Sequence, residues 1–194
     1  MKIAIVKYNA GNIRSVVNAI RRLGIDPVVT DRADELQRAD KVIFPGVGEA
    51  SSAIDYLRSK GLDTAIKSLT RPVLAICLGM QLLCEYSEEN ETQCLGILPN
   101  RVRRFPNSEL KVPHMGWNNI SSLKSPLLKN IDEGSRVYFV HGYFVGTNDK
   151  TIADGDYGLP FSAAVQHENF YGVQFHPEKS GLVGARILEN FLEI

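Results

Sequence analysis

The stretch that decides the fold is Val73-Leu74-Ala75-Ile76-Cys77-Leu78-Gly79-Met80-Gln81. Its first four residues are continuously apolar, as in a buried strand, and the residues after Cys77 predict a helix. Cys77 therefore falls on a sharp turn between strand and helix. Ala75 and Gly79, two places before and after it, are small enough for the two backbones to approach closely there. We expect Cys77 to be exposed, not buried.

The same turn predicts chemistry. A helix N-terminus favours the thiolate form of a cysteine, and its free N–H groups can bind a developing oxyanion. Cys77 is therefore a candidate nucleophile. A structural cysteine that packs as a small apolar residue is the alternative, unless a base and a group that orients it are also present.

Around this stretch, short apolar segments alternate with helical patterns. The predicted strands are 3–6, 42–44 and 73–76, and the predicted helices are 12–23, 50–57 and 80–86. Such alternation is typical of βαβ units. It predicts an α/β fold with a flavodoxin-like, doubly wound, mostly parallel central sheet and helices on both faces.

The pattern of apolar segments changes after Gly96, where Pro and Gly separate shorter strands. These strands are predicted at 101–105, 137–140, 162–167 and 171–175, and they indicate an added antiparallel layer in the C-terminal half. An amphipathic helix is predicted over 181–192. We find no repeat or linker, and we expect a single domain over residues 1–194.

Charge and the N-terminal residues limit the possible partners and location. The 194 residues include 22 Lys plus Arg and 22 Asp plus Glu, so the formal charge is zero. No broad electrostatic field then favours nucleic acid or a membrane surface as partner. The apolar run in 1–7 is too short for a secretory signal or a membrane span, and we expect a cytoplasmic protein.

The three cysteines, Cys77, Cys84 and Cys94, fit neither a disulfide framework nor a zinc site. We interpret Cys84, on the predicted helix beside Leu82 and Leu83, as a buried apolar side chain.

A candidate base follows the predicted strand 171–175, in His176-Pro177-Glu178. His176 can take the proton of a thiol and later protonate a leaving group, and the carboxylate of Glu178 can fix its tautomer. Pro177 restricts how the two side chains turn relative to each other. No pair among the four histidines has metal-ligand spacing, so no metal is expected, and His167 is predicted at the surface.

Together, Cys77-Leu78-Gly79-Met80-Gln81 and Phe175-His176-Pro177-Glu178 resemble the class I, or triad, glutamine amidotransferases. Other segments are similar to one branch of that family, the glutaminase subunits of imidazole glycerol phosphate synthase in histidine biosynthesis. These segments are YNAGN at 8–12, FPGVG at 44–48, PHMGWN at 113–118, YFVH at 138–141 and HPEKS at 176–180. The similarity extends over nearly the whole chain.

The resemblance implies that Cys77 attacks the side-chain amide of L-glutamine and forms a γ-glutamyl thioester, which water hydrolyses to glutamate while ammonia is released. It assigns catalysis to Cys77, His176 and Glu178 and requires no cofactor. The substrate-binding residues that it implies are Gln81, Glu89, Gly46, Val47, Gly48, Leu78, His141, Gly142 and Tyr143.

By the same resemblance the oxyanion lies between the Leu78 amide and the loop 45–48. The two glycines of that loop would make a peptide flip easy, and the partner would complete the hole. An ordinary βα turn fits the same glycines.

The implied partner is a (β/α)8-barrel cyclase subunit, which forms a heterodimer with the chain and receives the ammonia directly. Direct transfer is chemically reasonable, because ammonia released into water would be protonated. The resemblance places Asn12, Trp117, Asn118 and Lys179 at or near this interface. Trp is a frequent interface anchor, although Trp117 could also be a core aromatic residue.

Two residues depart from the family pattern. Ala75 stands where Gly is common, which adds a methyl group at a tight crossing. Gly142 stands where Ser or Thr is common, so any contact there must use the backbone, and glutamine could bind more weakly.

Three alternatives remain open. A paralogous glutaminase could supply a sugar-amidating synthetase through the same half-reaction, and this chain alone barely distinguishes the two. A catalytically silent regulatory module is disfavoured because Cys77, His176 and Glu178 are all present. A cysteine peptidase is disfavoured by Gln81 and the loop 45–48, since it would need no glutamine pocket.

Overall fold

The computed structural model describes residues 1–9, 11–106 and 110–194, so Ala10 of the segment 8–12 lies outside the described residues. The strands of the described ranges are β1 (Ile3–Val6), β2 (Val28–Thr30), β3 (Lys41–Gly46), β4 (Val73–Cys77), β5 (Cys84–Ser87), β6 (Thr92–Gln93), β7 (Leu98–Arg104), β8 (His114–Asn119), β9 (Arg136–His141), β10 (Tyr143–Val145), β11 (Thr151–Asp156), β12 (Pro160–His167) and β13 (Phe170–Val173). The α-helices are α1 (Ile13–Arg22), α2 (Ala33–Gln37), α3 (Ala50–Ser59), α4 (Leu62–Lys67), α5 (Leu78–Leu83) and α6 (Gly181–Glu193).

The central sheet has the strand order β11-β12-β13-β4-β3-β1-β2. From β13 to β2 all neighbours are parallel, whereas β11 and β12 add antiparallel pairs at one side. The strands β1, β3, β4 and β13 are buried along their whole length, which explains their continuously apolar sequences. The doubly wound, mostly parallel sheet predicted from the sequence is confirmed.

Helices cover both faces of this sheet. Ile3 and Ile5 of β1 point to one face and pack in a core that includes side chains of α1 and α6. Ala4 and Val6 point to the other face and pack with α2, α3 and α4. The alternation follows from the two-residue period of a strand. Because these strands are parallel, their carboxyl ends, where the helices begin, lie at the same edge of the central sheet.

The antiparallel addition is also confirmed, and it has two parts. One part is the extension of the central sheet by β11 and β12. The other part consists of two small sheets, with the orders β10-β7-β5-β6 and β8-β9, whose pairs are antiparallel except for the parallel pair of β5 and β7. In the second small sheet His114 pairs with His141 and Trp117 with Tyr138. This sheet brings strands from the C-terminal half over the end of β4.

The helix predicted over 80–86 is wrong at both ends. Helix α5 begins at Leu78 and ends at Leu83, and Cys84 starts strand β5 with an extended backbone. The run of Leu82, Leu83 and Cys84 is apolar, so its sequence fits either structure. Pairing of β5 with β7 decides it, because the backbone of Cys84 is paired with Leu98.

The other predicted bounds differ by a few residues at most. The last helix, predicted over 181–192, extends from Gly181 to Glu193, and the strand predicted over 171–175 runs from Phe170 to Val173. Within the described ranges, no helix is both long and apolar enough to cross a membrane.

Candidate active site

The turn that carries Cys77 is strained and tightly packed. Cys77 joins β4 to α5 with φ 53° and ψ −109°, a conformation that residues other than glycine rarely adopt. A side chain at Gly79 would collide with the carbonyl oxygen of Phe44 on the neighbouring strand. A side chain at Gly46 would meet Leu78 Cβ at 2.8 Å. Strain of this kind is found where function needs it, because the surrounding structure must hold it in place.

The prediction that Cys77 is exposed is wrong. Only 5% of its surface is accessible, and its Sγ lies 3.7 Å from the Val140 carbonyl oxygen of β9. The residue is nevertheless reachable, since it lies in the wall of a cleft of about 230 Å³. The lining residues of this cleft are Val47, Gly48, Cys77, Leu78, Gln81, Glu89, Pro113, Val140, His141, Gly142 and Tyr143. The thiol is therefore shielded from bulk water but open to a small substrate.

His176, from a distant part of the sequence, lies beside Cys77. It is fully buried, and its Nδ1 is 2.8 Å from Glu178 Oε1. The carboxylate can only accept, so Nδ1 carries the proton and Nε2 is free to take one from the thiol. Nε2 has no partner at good hydrogen-bond geometry among the described residues.

Electrostatics favour proton transfer from the thiol to this imidazole. Burial lowers the pKa of His176, but the negative charge of the nearby Cys77 sulfur, together with the hydrogen bond and charge of Glu178, raises it by more. The net result is a pKa raised from 6.5 to about 10. The imidazole therefore holds a proton firmly when the sulfur is a thiolate, as a cysteine nucleophile requires.

Glu178 is held by a second donor that the sequence did not reveal in this role. Its side chain is fully buried, and its Oε1 accepts hydrogen bonds from both His176 and the Nδ2 of Asn12. Asn12 precedes α1 with φ 69° and was predicted only at the partner interface. The hydroxyl of Ser180 donates to the His176 carbonyl at 2.6 Å, which fixes the backbone between base and carboxylate.

Gln174 is a site residue that sequence reasoning missed. It is fully buried on the stretch between β13 and His176, and its Nε2 donates to Cys77 Sγ at 3.7 Å. Its Oε1 accepts from Gln81 Nε2 at 2.9 Å, and Gln81 also donates to the Tyr143 carbonyl at 2.9 Å. The available signal was a polar residue within an apolar strand pattern, since buried polar groups are retained where they are hydrogen-bonded.

The opposite wall of the cleft contains the loop 45–48 and Glu89. Tyr8 donates its hydroxyl to the Pro45 carbonyl at 2.7 Å, and Gly48 has φ 124° with open space where a side chain would be. Glu89 accepts from the Ala50 amide at 2.8 Å, and burial raises the pKa of its carboxyl group. All the substrate-binding residues predicted from the resemblance thus lie in or against this one cleft, Gly46 through the packing described above.

Comparison with known proteins agrees with this geometry. The profile of the family described as Glutamine amidotransferase class-I matches residues 4–194. The chain belongs to this family. Its relatives include the Imidazole glycerol phosphate synthase subunit HisH of Bacteroides fragilis, which is 56% identical over 196 residues and covers 100% of both chains. The subunit of the same name from Escherichia coli K12 is 47% identical, also over 100% of both chains.

Solved structures show the same fold. A crystal structure of a glutamine amidotransferase aligns with a TM-score of 0.76 and 19% identity, covering 98% of this chain and 97% of its own. PurLQS from Thermotoga maritima aligns with a TM-score of 0.71 and 18% identity, covering 99% of this chain and 97% of its own. The fold predicted for this amidotransferase is therefore that of its family.

Of the four residues predicted at the partner interface, Trp117 and Lys179 are exposed, whereas Asn12 and Asn118 are half-buried. Trp117 is 48% exposed, which excludes the alternative of a core aromatic residue. Its ring contacts Tyr138 edge to face, and Lys179 Nζ lies 5.7 Å from the centre of the same Tyr138 ring. Asn118 is half-buried on β8, and its side-chain amide donates to the Asp156 carbonyl at 2.7 Å, away from Trp117. Trp117 and Lys179 thus meet at the Tyr138 ring, and Lys179 directly follows Glu178 in the chain.

The other two cysteines lack the features of a reactive thiol. Cys84 and Cys94 are buried free thiols, and burial raises the pKa of both. The interpretation of Cys84 as a buried apolar side chain agrees with this, although the residue lies on a strand. Among the described residues, no group of His, Cys, Asp and Glu side chains could hold a metal ion.

Proposed function

We propose that this chain is the glutaminase subunit of an imidazole glycerol phosphate synthase. In this role it hydrolyses L-glutamine and passes the ammonia to a cyclase subunit in histidine biosynthesis. The observation that carries the proposal is the buried line from Cys77 through His176 to Glu178 at the wall of a small cleft. Relatives named for that synthase subunit support the pathway, with 56% and 47% identity over the full chain.

The reaction follows from the arrangement of the triad. The thiolate of Cys77 attacks the side-chain amide carbon of glutamine, and His176, protonated by the thiol, gives its proton to the departing nitrogen. Ammonia leaves, and the γ-glutamyl group remains on sulfur. Water then attacks the thioester, with His176 accepting its proton, and releases glutamate and the thiol.

Stabilisation of the tetrahedral oxyanion is assigned to backbone donors. The Leu78 amide opens helix α5 beside Cys77, and the loop 45–48 lies directly across the β3–β4 pair, where Gly46 is in register with Cys77. Two donors from these segments would face the oxygen on which charge develops. Gly48, with φ 124° and no described residue within 4 Å of where its side chain would be, gives the loop room to present a different N–H when the partner binds.

The rest of the cleft suits the amino-acid end of glutamine. Glu89 carries a carboxylate that can pair with the α-ammonium group, and its raised pKa reflects burial that glutamine would compensate. Gly142 can contact glutamine only through its backbone, because it has no side chain. His141 and Tyr143 line the cleft on either side of it.

The partner surface is defined by exposed apolar side chains near the triad. Met115 and Trp117 are 63% and 48% exposed, and they point to the same side of β8 because they are two residues apart. Leu182, 90% exposed, follows Gly181, where an added Cβ would lie 4.0 Å from the Trp117 ring. An aromatic anchor with apolar neighbours and a cation at Lys179 is typical of an interface centre. A cyclase docked here would receive ammonia before water protonates it.

We also place the protein in the cytoplasm. Its three thiols are free, as reducing compartments keep them. Neither a cofactor nor a metal enters the proposed reaction, since thiolate and imidazole supply the nucleophile and the proton.

The test is the variant Cys77→Ser, with Cys84→Ser as the matched control. In complex with the cyclase, Cys77→Ser should lose glutamine-dependent turnover but keep turnover with added ammonium salts. Cys84→Ser should keep glutamine-dependent turnover if it folds. Loss of both activities by a folded Cys77→Ser complex would contradict the assignment of glutamine hydrolysis to this chain and of ammonia use to the cyclase. Co-purification with a sugar-amidating synthetase in place of the cyclase would identify the paralogous role.

A further inference from the structure

An unbroken series of hydrogen bonds leads from the surface of β8 to the glutamine cleft. Asn118 Nδ2 lies 3.4 Å from His114 Nε2, and His114 Nδ1 lies 3.1 Å from His141 Nε2. His141 Nδ1 lies 2.8 Å from the Tyr143 carbonyl oxygen. Two of these residues are on facing positions of the β8–β9 pair, where His114 and His141 are in register.

The hydrogen bond to the Tyr143 carbonyl oxygen determines which atom is the donor in every other hydrogen bond of the series. The Tyr143 carbonyl can only accept, so His141 Nδ1 carries a proton and His141 Nε2 does not. His114 Nδ1 must then donate to His141 Nε2, which leaves His114 Nε2 as an acceptor for the side-chain amide of Asn118. Both histidines therefore hold their proton on Nδ1.

The two histidines of the series are buried in the core, where water does not compete for their hydrogen bonds. His114 and His141 are only 3% and 5% exposed. The His114 ring stacks on Tyr157 at 4.0 Å and on Phe139 at 4.9 Å between centres. Burial lowers the pKa of both histidines, to about 4 and about 3, so each is neutral near pH 7 and has one donor and one acceptor nitrogen.

The Tyr143 carbonyl connects the series to the nucleophile. The same oxygen accepts from Gln81 Nε2, Gln81 also donates to Gln174 Oε1, and Gln174 Nε2 reaches Cys77 Sγ. A shift of this carbonyl would therefore move the side chain that holds Gln174 against the sulfur. At the outer end Asn118 also donates to the Asp156 carbonyl at 2.7 Å, which anchors it.

We propose that His114 is a positioning residue for glutamine hydrolysis, which holds His141 and the Tyr143 carbonyl in place and links the surface at Asn118 to the cleft. This inference deepens the proposed glutaminase function and rests on it. His114 touches neither the thiol nor the cleft. It acts through His141, whose unprotonated nitrogen would be a buried acceptor without a donor if His114 were replaced by an apolar residue.

The first test measures the tautomers in the unmodified chain by nitrogen-15 NMR of its four histidines. The structure requires a protonated Nδ1 and a bare Nε2 at both His114 and His141, the form less common for free histidine. A proton on Nε2 of His141 at neutral pH would overturn the inference. This measurement does not depend on activity, so it holds even if the proposed function fails.

The second test separates the hydrogen bond from the ring. His114→Phe keeps the stacking and removes the donor, whereas His114→Asn removes the ring and keeps an N–H near the position of Nδ1. We expect kcat/KM for glutamine to fall roughly ten- to a hundredfold in His114→Phe, as for a buried acceptor that loses its donor. His114→Asn should recover most of that loss, to within about threefold of the unmodified chain, because it keeps the N–H donor.

A matched control is His167→Phe. His167 ends β12 opposite Phe170, which is in register with Val73, so it lies at the other end of β4 from Cys77. The kcat/KM of His167→Phe for glutamine should not change. Equal losses in His114→Phe and His114→Asn would show that only the ring matters, and unchanged activity in His114→Phe would show that the donor does not; either result overturns the inference.

Asn118→Ala keeps the test decisive if His114→Phe does not fold. It changes only a half-buried side chain, and we expect an activity loss of about three- to tenfold in the isolated chain, the size of one neutral hydrogen bond. Unchanged activity would remove the link to the surface. If the unmodified chain releases no glutamate even in complex with the cyclase, the proposed function fails, and the tautomer result still decides the hydrogen-bond series.

Discussion

The bond from Asn12 to Glu178 offers a sharp test of how the triad is held. Asn12 adopts φ 69°, a conformation that glycine tolerates without strain, so Asn12→Gly removes the side-chain amide with little backbone cost. Glu178 Oε1 would keep only His176 as donor, and Oε2 has no partner among the described residues. Hydrogen bonds to charged groups contribute about 1.5–3 kcal/mol. Because part of this stabilises the resting enzyme as well, we expect kcat to fall about five- to fiftyfold.

Asn12→Asp tests the same contact by replacing the amide donor with a second carboxylate that faces Glu178. Two carboxylates would meet within hydrogen-bond distance, and like charges about 3 Å apart repel by about 5 kcal/mol at an effective dielectric constant of 20. The pair should therefore retain a proton at a raised pKa. When the introduced carboxyl group is protonated, it can donate to Glu178 much as the amide does. The activity of this variant relative to the unmodified chain should therefore rise as the pH falls from about 8 to 6.

The assay is glutamate release at saturating glutamine, followed over that pH range for the isolated chain and for its complex with the cyclase. Measuring the isolated chain separates an effect on the triad from one on docking. If Asn12→Gly has the activity of the unmodified chain and Asn12→Asp shows a flat activity ratio with pH, Glu178 is held by other means and the reasoning is refuted.

Two further predictions concern stability. Burial lowers the pKa of His114 and His141 from 6.5 to about 4 and about 3, so near and below pH 6.5 the unfolded chain binds protons that the folded chain does not. The free energy of unfolding should therefore fall on the order of 3 kcal/mol between about pH 7 and 5; a urea midpoint that does not move would contradict this. Gly79→Ala places a methyl group on the Phe44 carbonyl, and Gly146→Ala, with no neighbour within 4 Å, is its control. We expect Tm to fall by about 4–10 °C in the first and to change by less than about 2 °C in the second; equal Tm values would show that the turn is not tight.

The parallel sheet and the triad could be predicted because each depends on local patterns. Continuous apolar runs give buried strands; Cys77 is the last residue of β4, and His176 follows β13 after Gln174 and Phe175. Since β4 and β13 are parallel neighbours, their ends meet at one edge, and the two residues with them.

The features that were missed depend on contacts between distant segments. Cys77 is covered on one side by the Val140 carbonyl of β9, 63 positions away, and the strand at Cys84 results from pairing with β7. Asn12 reaches Glu178 across 166 positions of the chain, and Gln174 reaches Cys77 across 97. No local pattern encodes such partners. A polar residue in an otherwise buried strand, as at Gln174, is the one local sign that could have been followed.

The central claim is that Cys77 alone is the nucleophile for glutamine, and labelling with a diazoketone analogue of glutamine tests it most directly. The sulfur would displace dinitrogen and leave a covalent adduct that mass spectrometry can locate. We predict one adduct per chain, on Cys77, that excess glutamine prevents. An adduct on Cys84 or Cys94, or labelling of Cys77 that glutamine does not slow, would contradict the account.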